Sequence, residues 1–190
     1  MLHPAYTKVD PGIGLATRCV PGKKENGAIF NHPASWGILA ECILGNGDRA
    51  YEWYRKCLPM VQAADADIYK MEPYVYSEYV TSPDHPTFGQ ASHSWLTGSG
   101  VWMFRDGIDW ILGIRPTYDG LLIDPCIPSA WAGFTASRRF RGKTLDIEVK
   151  NTNHVCQGVQ AVTLNGKKLA GNLVPADKLT GWNRVVVELG

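Results

Sequence analysis

The chain has no excess of charge of either sign and no long apolar run. Its 190 residues include 19 Lys or Arg and 18 Asp or Glu, so the formal net charge is +1. Such a balance gives no electrostatic attraction to nucleic acid or to an anionic membrane surface. No apolar run approaches the ~20 residues of a membrane-spanning helix. The first six residues also lack the basic and apolar regions of a signal peptide. We therefore expect a cytoplasmic protein.

The familiar catalytic and metal-binding motifs are missing as well. The sequence contains no GxSxG, HExxH, Walker or GxGxxG motif, and no CxxC. Its cysteines are scattered and odd in number, which argues against a zinc site and against a disulfide framework. They are Cys19, Cys42, Cys57, Cys126 and Cys156. We expect free, mostly buried thiols, no metal site and no organic cofactor.

Aromatic residues, in contrast, are plentiful. They make up 11% of the chain, with seven Trp and eight Tyr. Aromatic rings stack on the flat faces of sugars, so this content suits a carbohydrate site, although most of these rings must fill the core.

The first two thirds of the chain are predicted to be helical with long loops. Residues 1–30 are rich in Gly and Pro and are predicted to be irregular. Apolar residues then follow helical spacing in three segments. The three stripes are Trp36, Leu39, Ala40 and Ile43; Tyr51, Tyr54 and Leu58; and Val101, Phe104, Ile108 and Ile111. Residues 59–70 and 81–90 are predicted to be loops, and residues 72–80 are ambiguous between strand and helix.

The last third of the chain is predicted to be β-structure. Thr144–Lys150 alternates strictly between polar and apolar residues. Asn165-Gly166 is a strong signal for a type I′ hairpin after Ala161–Leu164, and Arg184–Leu189 is a last strand. Arg139 and Arg141 are expected on one strand face. Short strands at this spacing predict an antiparallel sandwich, with a boundary between residues 1–117 and 118–190.

Two short polar segments carry candidate binding groups. Thr97 and Gly98 precede a predicted helix, where unpaired backbone N–H groups attract anions. His32 stands at another junction between loop and helix, and His93, beside Ser94-Trp95, is a weaker candidate of the same kind. For both segments the ordinary alternatives, a helix cap and a structural histidine, are favoured when the residues are taken alone. The same holds for Lys24 and Glu25, which could line a cleft or lie in a solvated turn. It also holds for the carboxylates Glu72 and Glu78, which could flank a sugar or lie on the surface.

Longer strings of sequence together carry a family resemblance. They are Lys24–Pro33 (KENGAIFNHP), Glu72–Val80 (EPYVYSEYV), Asp84–Ser99 (DHPTFGQASHSWLTGS), Trp110–Pro128 (WILGIRPTYDGLLIDPCIP) and Phe140–Gly142 (FRG). In these strings the chain resembles the C-terminal part of the inverting disaccharide phosphorylases of glycoside hydrolase family 94. The resemblance implies an α+β protein: the last helices of an (α/α)6 catalytic barrel over residues 1–117, then an antiparallel β-sandwich over residues 118–190.

The resemblance also implies an activity. It is phosphorolysis of a β-linked glucoside such as cellobiose or a cello-oligosaccharide, giving α-glucose 1-phosphate with inversion. Inorganic phosphate is then a co-substrate. By resemblance, His32, Thr97 and Gly98 hold phosphate, while Lys24, Glu25 and Glu78 contact the sugars. The family's general acid is an Asp expected upstream of this chain, so no catalytic residue is assigned here.

Two residues depart from the family pattern. Cys19 stands where an aromatic residue is expected in some cellobiose enzymes, and Glu78 stands where several members have Gln. Both leave the sugar substrate open.

Other roles for the chain are also open. The chain could be a fragment or split subunit that needs the missing N-terminal part of the enzyme and is inactive alone. It could instead be a non-catalytic carbohydrate-binding or structural module, or the remnant of a truncated gene. Three helices make a poor core alone, so their apolar stripes should stay exposed and the chain should self-associate as a homo-oligomer.

Overall fold

The computed structural model describes residues 3–190. The chain divides into two compact units. The first comprises Met1–Gly37 and Trp53–Met103, and the second comprises Ile38–Glu52 and Phe104–Gly190. The boundary expected between residues 117 and 118 stays a prediction.

The helices occupy the ranges that the sequence predicts, with additions. A 3-10 turn at Leu15–Arg18 precedes α1 (Asn31–Ile43), α2 (Gly47–Cys57), α3 (Pro59–Gln62), α4 (Ala66–Tyr69) and α5 (Ser99–Arg105), which continues as a π-helix over Asp106–Ile111. The prediction of a loop over residues 59–70 is wrong, because α3 and α4 lie there. Pro59 opens α3 at a position where its missing N–H costs nothing, and the Asp65 carboxylate caps α4 by accepting from the Ile68 N–H.

Polar residues share the buried face of α1. Asn31, Ser35, Ile38 and Cys42 are buried, whereas Trp36 and Ile43 of the apolar stripe are more than half exposed. Asn31 is accommodated because its Nδ2 donates to both the carbonyl and the hydroxyl of Ser77, at 2.9 and 2.8 Å. The expected exposure of the stripe is therefore observed at Trp36 and Ile43.

A small antiparallel sheet organises the first unit. Its strands are β1 (Ile29–Phe30), β2 (Ser77–Val80) and β3 (Ala91–Ser94), with β2 in the centre. The buried side chains of Val80 in β2 and Ala91 in β3 pack with Tyr69 of α4. This sheet brings the Lys24–Pro33 segment next to the segment that contains Glu78.

Two sheets organise the second unit. The first is three-stranded, in the order β10 (Leu173–Pro175), β5 (Gly120–Ile123), β4 (Ile114–Pro116). The second has the order β6 (Gly133–Phe140), β7 (Lys143–Lys150), β11 (Trp182–Leu189), β8 (Val159–Leu164), β9 (Lys167–Lys168). A 3-10 turn at Ala176–Lys178 precedes β11.

The strand pairing is antiparallel except between β7 and β11, which run parallel. The predicted strands and the hairpin at Asn165-Gly166 are present, and both turn residues have the positive φ that a type I′ turn requires. Arg139 lies in β6, but the expectation that Arg141 shares its strand face is wrong. Arg141 has left the strand and occupies a left-handed turn at φ +49°.

Alternation separates the two faces of the five-stranded sheet. Leu145, Ile147 and Val149 of β7 are buried on the same face as Val185 and Val187 of β11. The opposite face carries polar side chains. Within residues 3–190, no helix is both long and apolar enough to cross a bilayer.

Candidate phosphate and sugar site

One carboxylate joins the two polar segments of the first unit. Lys24 Nζ donates to Glu78 Oε2 at 2.7 Å, and His93 Nδ1 lies 3.3 Å from the same oxygen. The Lys24 and Glu78 side chains are 32% and 23% exposed, so the pair is partly shielded but still open to a ligand. A cation, an anion and an imidazole thus converge in a small volume.

Strand pairing places these three side chains. β1 pairs with β2 through Phe30 and Tyr79, and β2 pairs with β3 through Tyr79 and Ser92, which brings the following His93 beside Glu78. Lys24 lies in the turn before β1, in left-handed backbone at φ +47°.

The buried amide of Asn26 fixes that turn. Its Nδ2 donates to the carbonyls of Tyr6 and Cys19, each at 2.8 Å, and its Oδ1 accepts from the Tyr6 N–H at 2.7 Å. The Lys24 turn therefore has few alternative conformations.

Hydrogen bonding keeps the Lys24 side chain charged. The hydrogen bond to Glu78 raises the pKa of Lys24 above its ordinary value of 10.5, against a smaller opposing effect of burial. Its ammonium also lies 5.5 Å from the centre of the Tyr79 ring. Lys24 is thus a permanent hydrogen-bond donor at neutral pH.

A cleft of about 430 Å³ opens beside this cluster. It is lined by Lys24, Glu25, Ala28, Ile29, Phe30, Pro33 and Ala34. Lys24 and Glu25 therefore line the same cleft. This is the arrangement that a sugar-binding role for the two residues requires. Its volume falls within the range of small-molecule sites. The Cys19 thiol lies 3.8 Å from Glu25 Oε2, so this departure from the family pattern is near the same wall.

His32 and Gly98 lie side by side near the start of α5. A Cβ atom placed on Gly98 would be 3.8 Å from His32 Cε1. The rings of Trp36 and Trp102 lie 5.3 and 5.6 Å from the imidazole. His32 Nε2 is buried and has no hydrogen-bond partner within the described part of the chain. A buried nitrogen of this kind is costly unless something fills its hydrogen-bonding capacity.

Thr97 directly precedes Gly98 in the sequence, just before α5. Its hydroxyl oxygen accepts from the Ser99 N–H at 3.1 Å and lies 2.6 Å from the Ser99 hydroxyl. These contacts engage the Thr97 hydroxyl in the turn before α5, whose first main-chain bond runs from the Trp102 N–H to the Gly98 carbonyl. Its role toward phosphate, like those of His32 and Gly98, stays a prediction.

Two aromatic residues near the site, Tyr79 and Trp95, were given no role in the sequence analysis. His93 and Tyr79 complete the cluster around Glu78, and Trp95 Nε1 donates to Glu72 Oε1 at 3.3 Å. A smaller cleft of about 210 Å³ is lined by Tyr74, Val75, Tyr76, Trp95, Thr97 and Gly100. The signal that could have found them is the dense run of polar and aromatic residues in Ser92–Trp95. Among residues 3–190, no three His, Cys, Asp or Glu side chains are arranged to hold a metal ion.

Comparison with known proteins decides the family. The family model described as the glycosyl hydrolase 94 superfamily, catalytic domain, matches residues 1–113. The chain belongs to this family. The model of the glycosyl hydrolase family 65 C-terminal domain matches residues 114–157. The family resemblance carried by the sequence strings is thereby confirmed.

Three curated relatives of this family 94 chain have names that describe phosphorylases. The chain is 42% identical over 187 residues to the N,N'-diacetylchitobiose phosphorylases of Vibrio proteolyticus and Vibrio furnissii, over 98% of this chain and 23% of each relative. It is 36% identical over 174 residues to the solabiose phosphorylase of Paenibacillus borealis, over 92% of this chain and 23% of the relative. The chain thus spans about a quarter of the length of these relatives.

Proposed function

We propose that this chain supplies the phosphate-binding and sugar-binding parts of an inverting phosphorylase that acts on β-linked disaccharides. The observation that carries the proposal is the unpartnered, buried Nε2 of His32 beside Gly98, in a unit that also holds the cleft at Lys24 and Glu25. Family membership supports the same reading. In this proposal α1 to α5 belong to the last helices of an (α/α)6 barrel.

In the phosphate half of the proposed site, hydrogen-bond donors bind the phosphate oxygens. His32 donates from Nε2 to a phosphate oxygen, and the backbone N–H groups after Gly98 add further donors. Gly98 is suited to this place because a Cβ would lie between His32 and Trp102, both within 4 Å of it, and would narrow the approach. Thr97 contributes its hydroxyl after exchanging its bond to Ser99 for one to phosphate.

The sugar half combines paired charges and aromatic rings. Lys24 donates to sugar hydroxyls, and Glu25 and Glu78 accept from them. The Phe30 ring, 5.5 Å from the Tyr79 ring, lines the cleft and offers an apolar surface to a sugar face. We propose that this cleft holds the acceptor sugar, and that Glu78 lies nearer the reacting bond.

In the proposed reaction, a phosphate oxygen attacks the anomeric carbon and the glycosidic C–O bond breaks on the opposite face. A carboxylic acid outside this chain gives its proton to the departing sugar oxygen. Phosphate is already an anion, so no second carboxylate is needed to activate it. The residues described here hold and orient the reactants, and we expect no turnover by this chain alone.

The sugar itself is proposed only as a class. Cellobiose and cello-oligosaccharides are the substrates that the sequence strings favour. The names of the relatives add N,N'-diacetylchitobiose and solabiose as further candidate substrates. The cytoplasmic location stays a prediction.

A complementation assay tests the proposal. The 190-residue chain is co-expressed with the preceding three quarters of the Vibrio proteolyticus relative, and release of sugar 1-phosphate is measured with each disaccharide. We expect turnover from the combination and none from either part. His32→Ala should raise the KM for phosphate at least ~10-fold, as expected for the loss of a charge-assisted donor. His154→Ala, at an exposed histidine of the second unit, is the control and should leave that KM unchanged.

The result also separates the proposal from its competitor, a non-catalytic module. If the combination shows no turnover with any disaccharide, or if His32→Ala leaves the phosphate KM unaltered, the proposed function is wrong. Turnover by the chain alone would show that the general acid lies within it.

A further inference from the structure

The outer face of the five-stranded sheet carries a second polar cleft, in the second unit. Its volume is about 460 Å³. Side chains of β6, β7 and β11 line it: Thr135, Ser137, Asp146, Glu148, Trp182 and Arg184. We call this set the outer-face cleft.

Strand register explains why these side chains share a face. Ser137 pairs with Asp146 and Asp146 pairs with Arg184, so the three form one row across the sheet. Thr135 and Glu148 form the next row. Alternation puts Leu145, Ile147 and Val185 on the buried side, which leaves polar groups on the other. The cleft is therefore set by the most regular element of the fold.

Trp182 is the unusual member of this face. Its side chain is 58% exposed, although it is the largest apolar group on the sheet surface. Its Nε1 donates to Asp146 Oδ2 at 2.8 Å. That bond satisfies the indole N–H and fixes the orientation of the ring, while much of the ring surface stays open to solvent. An ordered, exposed indole is a preformed stacking surface.

The charges in the cleft nearly cancel. Arg184 Nη2 donates to Glu148 Oε2 at 3.1 Å, and Lys150 Nζ lies 3.7 Å from Glu148 Oε1. The hydrogen bond from Arg184 lowers the pKa of Glu148, so the carboxylate stays ionised at neutral pH. Asp146 is engaged with the indole. Because the charges nearly cancel, the cleft has no electrostatic preference for an anionic ligand. It suits a neutral ligand that both donates and accepts hydrogen bonds.

We propose that the outer-face cleft binds a neutral β-linked oligosaccharide, independently of phosphate. In a β-linked gluco-configured ring the hydroxyls are equatorial, so one flat C–H face can stack on Trp182. The ring edge then presents hydroxyls to Asp146, Glu148 and Ser137, which match them as acceptors and donors. The cleft binds the oligosaccharide and does not catalyse a reaction. This role goes beyond the proposed phosphorolysis and does not depend on it.

Titration calorimetry of the 190-residue chain with cellopentaose, in phosphate-free buffer, tests the proposal. We expect saturable binding, with Trp182→Ala lowering the affinity at least ~10-fold because the stacking surface is lost. Tyr118→Ala is the matched control. It removes an aromatic side chain that is 92% exposed and belongs to the same unit, but does not line the cleft, so it should leave the affinity unchanged. Thermal unfolding of each variant shows whether the fold is intact.

A second variant keeps the test decisive if Trp182→Ala unfolds. Ser137→Gln puts a longer neutral side chain into the cleft and leaves Trp182 in the sequence, and it should also weaken binding at least ~10-fold by filling the space. Maltopentaose, whose α-linkages curve the chain, should bind more weakly than cellopentaose.

The proposal is overturned if cellopentaose does not bind, if Trp182→Ala and Ser137→Gln bind it as the parent does, or if maltopentaose binds equally well. Lys24→Ala separates the two clefts, because Lys24 lines the sugar cleft proposed for the first unit. If Lys24→Ala abolishes cellopentaose binding and Trp182→Ala does not, the sugar occupies the first unit and the outer-face cleft is not its site. Failure here leaves the complementation assay untouched, so the two proposals fail separately.

Discussion

Replacing Asp106 with Asn should make the protein more stable at alkaline pH. Asp106 begins the π-helical segment and is 1% exposed. Its Oδ2 has no hydrogen-bond partner among the described residues. Burial raises the pKa of this carboxyl from its ordinary value of 3.8 to about 7, against a smaller opposing effect of the Arg105 charge. The folded protein therefore disfavours the ionised form.

The sign and size of the effect follow from linkage. Below about pH 4 the carboxyl is protonated in both the folded and the unfolded chain, so it costs nothing. As the pH rises from about 4 to about 7, the unfolded chain loses the proton first and stability falls. Above pH 7 the cost is complete. A pKa that is about three units higher in the folded state corresponds to about 4 kcal/mol. Asn cannot ionise, so Asp106→Asn should recover most of this at pH 8 and little at pH 4.

Urea unfolding followed by circular dichroism between pH 4 and pH 8 measures this difference. Asp109→Asn, in the same segment, is the matched contrast. The Asp109 carboxylate accepts from Arg105 Nε at 3.2 Å and lies 3.8 Å from Arg138 Nη1. Its neutralisation removes the anion beside Arg105 and Arg138 and should destabilise the protein by about 1–3 kcal/mol at pH 8.

The two variants should therefore shift stability in opposite directions. If Asp106→Asn lowers the free energy of unfolding at pH 8, or if its effect is the same at pH 4 and pH 8, burial of the ionised carboxylate is not the source of the cost. The argument from its environment would then be wrong.

Three further predictions concern a charge, a turn and a surface. Glu78→Gln should alter the free energy of unfolding by no more than ~1 kcal/mol, because its ion pair is partly exposed, but in the complementation assay it should change the sugar KM more than the phosphate KM. Gly113→Ala should lower the free energy of unfolding by ~3 kcal/mol or more, because a Cβ there would lie 2.1 Å from the Asp124 carbonyl. Gly142→Ala meets open space and should lower it by only ~1 kcal/mol, because of its positive φ. Urea unfolding of the two variants measures the difference. Light scattering should show self-association of the chain, and Phe104→Ser, at a side chain 65% exposed, should reduce it; an unaltered monomer at high concentration in the parent protein would contradict this.

Local signals in the sequence predicted much of the fold. The Asn165-Gly166 turn and the alternation of β7 are confirmed because both depend on residues close together in the chain. The parallel pairing of β7 with β11 was not predicted, since no short-range pattern specifies which strand lies beside which. The buried face of α1 was missed for a different reason. Hydrophobicity could not show that Asn31 would be buried, because its place depends on Ser77, a residue of another element.

The candidate site shows the same limit. Each polar segment was visible in the sequence, but Lys24 and Glu78 are 54 residues apart and meet only because β1 pairs with β2. His93 was only a weaker candidate in the sequence, because its significance is its distance from Glu78, and strand pairing sets that distance. The Thr97 hydroxyl accepts from the Ser99 N–H at the start of α5, and its role toward phosphate stays a prediction.

Three residues around Glu78 and Glu72 have an unusual backbone conformation. Lys24, His93 and Trp95 have φ values of +47°, +57° and +64°, in the left-handed region that is unfavourable for residues with a side chain. Glycine would relieve the backbone at each of these positions, but it would also remove the cation, the imidazole or the indole that reaches Glu78 or Glu72. Lys70, Arg141, His154 and Asn165 have the same backbone conformation elsewhere in the chain. Left-handed backbone therefore does not by itself mark a functional residue. What distinguishes Lys24 and Trp95 is that they also line the two clefts of the first unit.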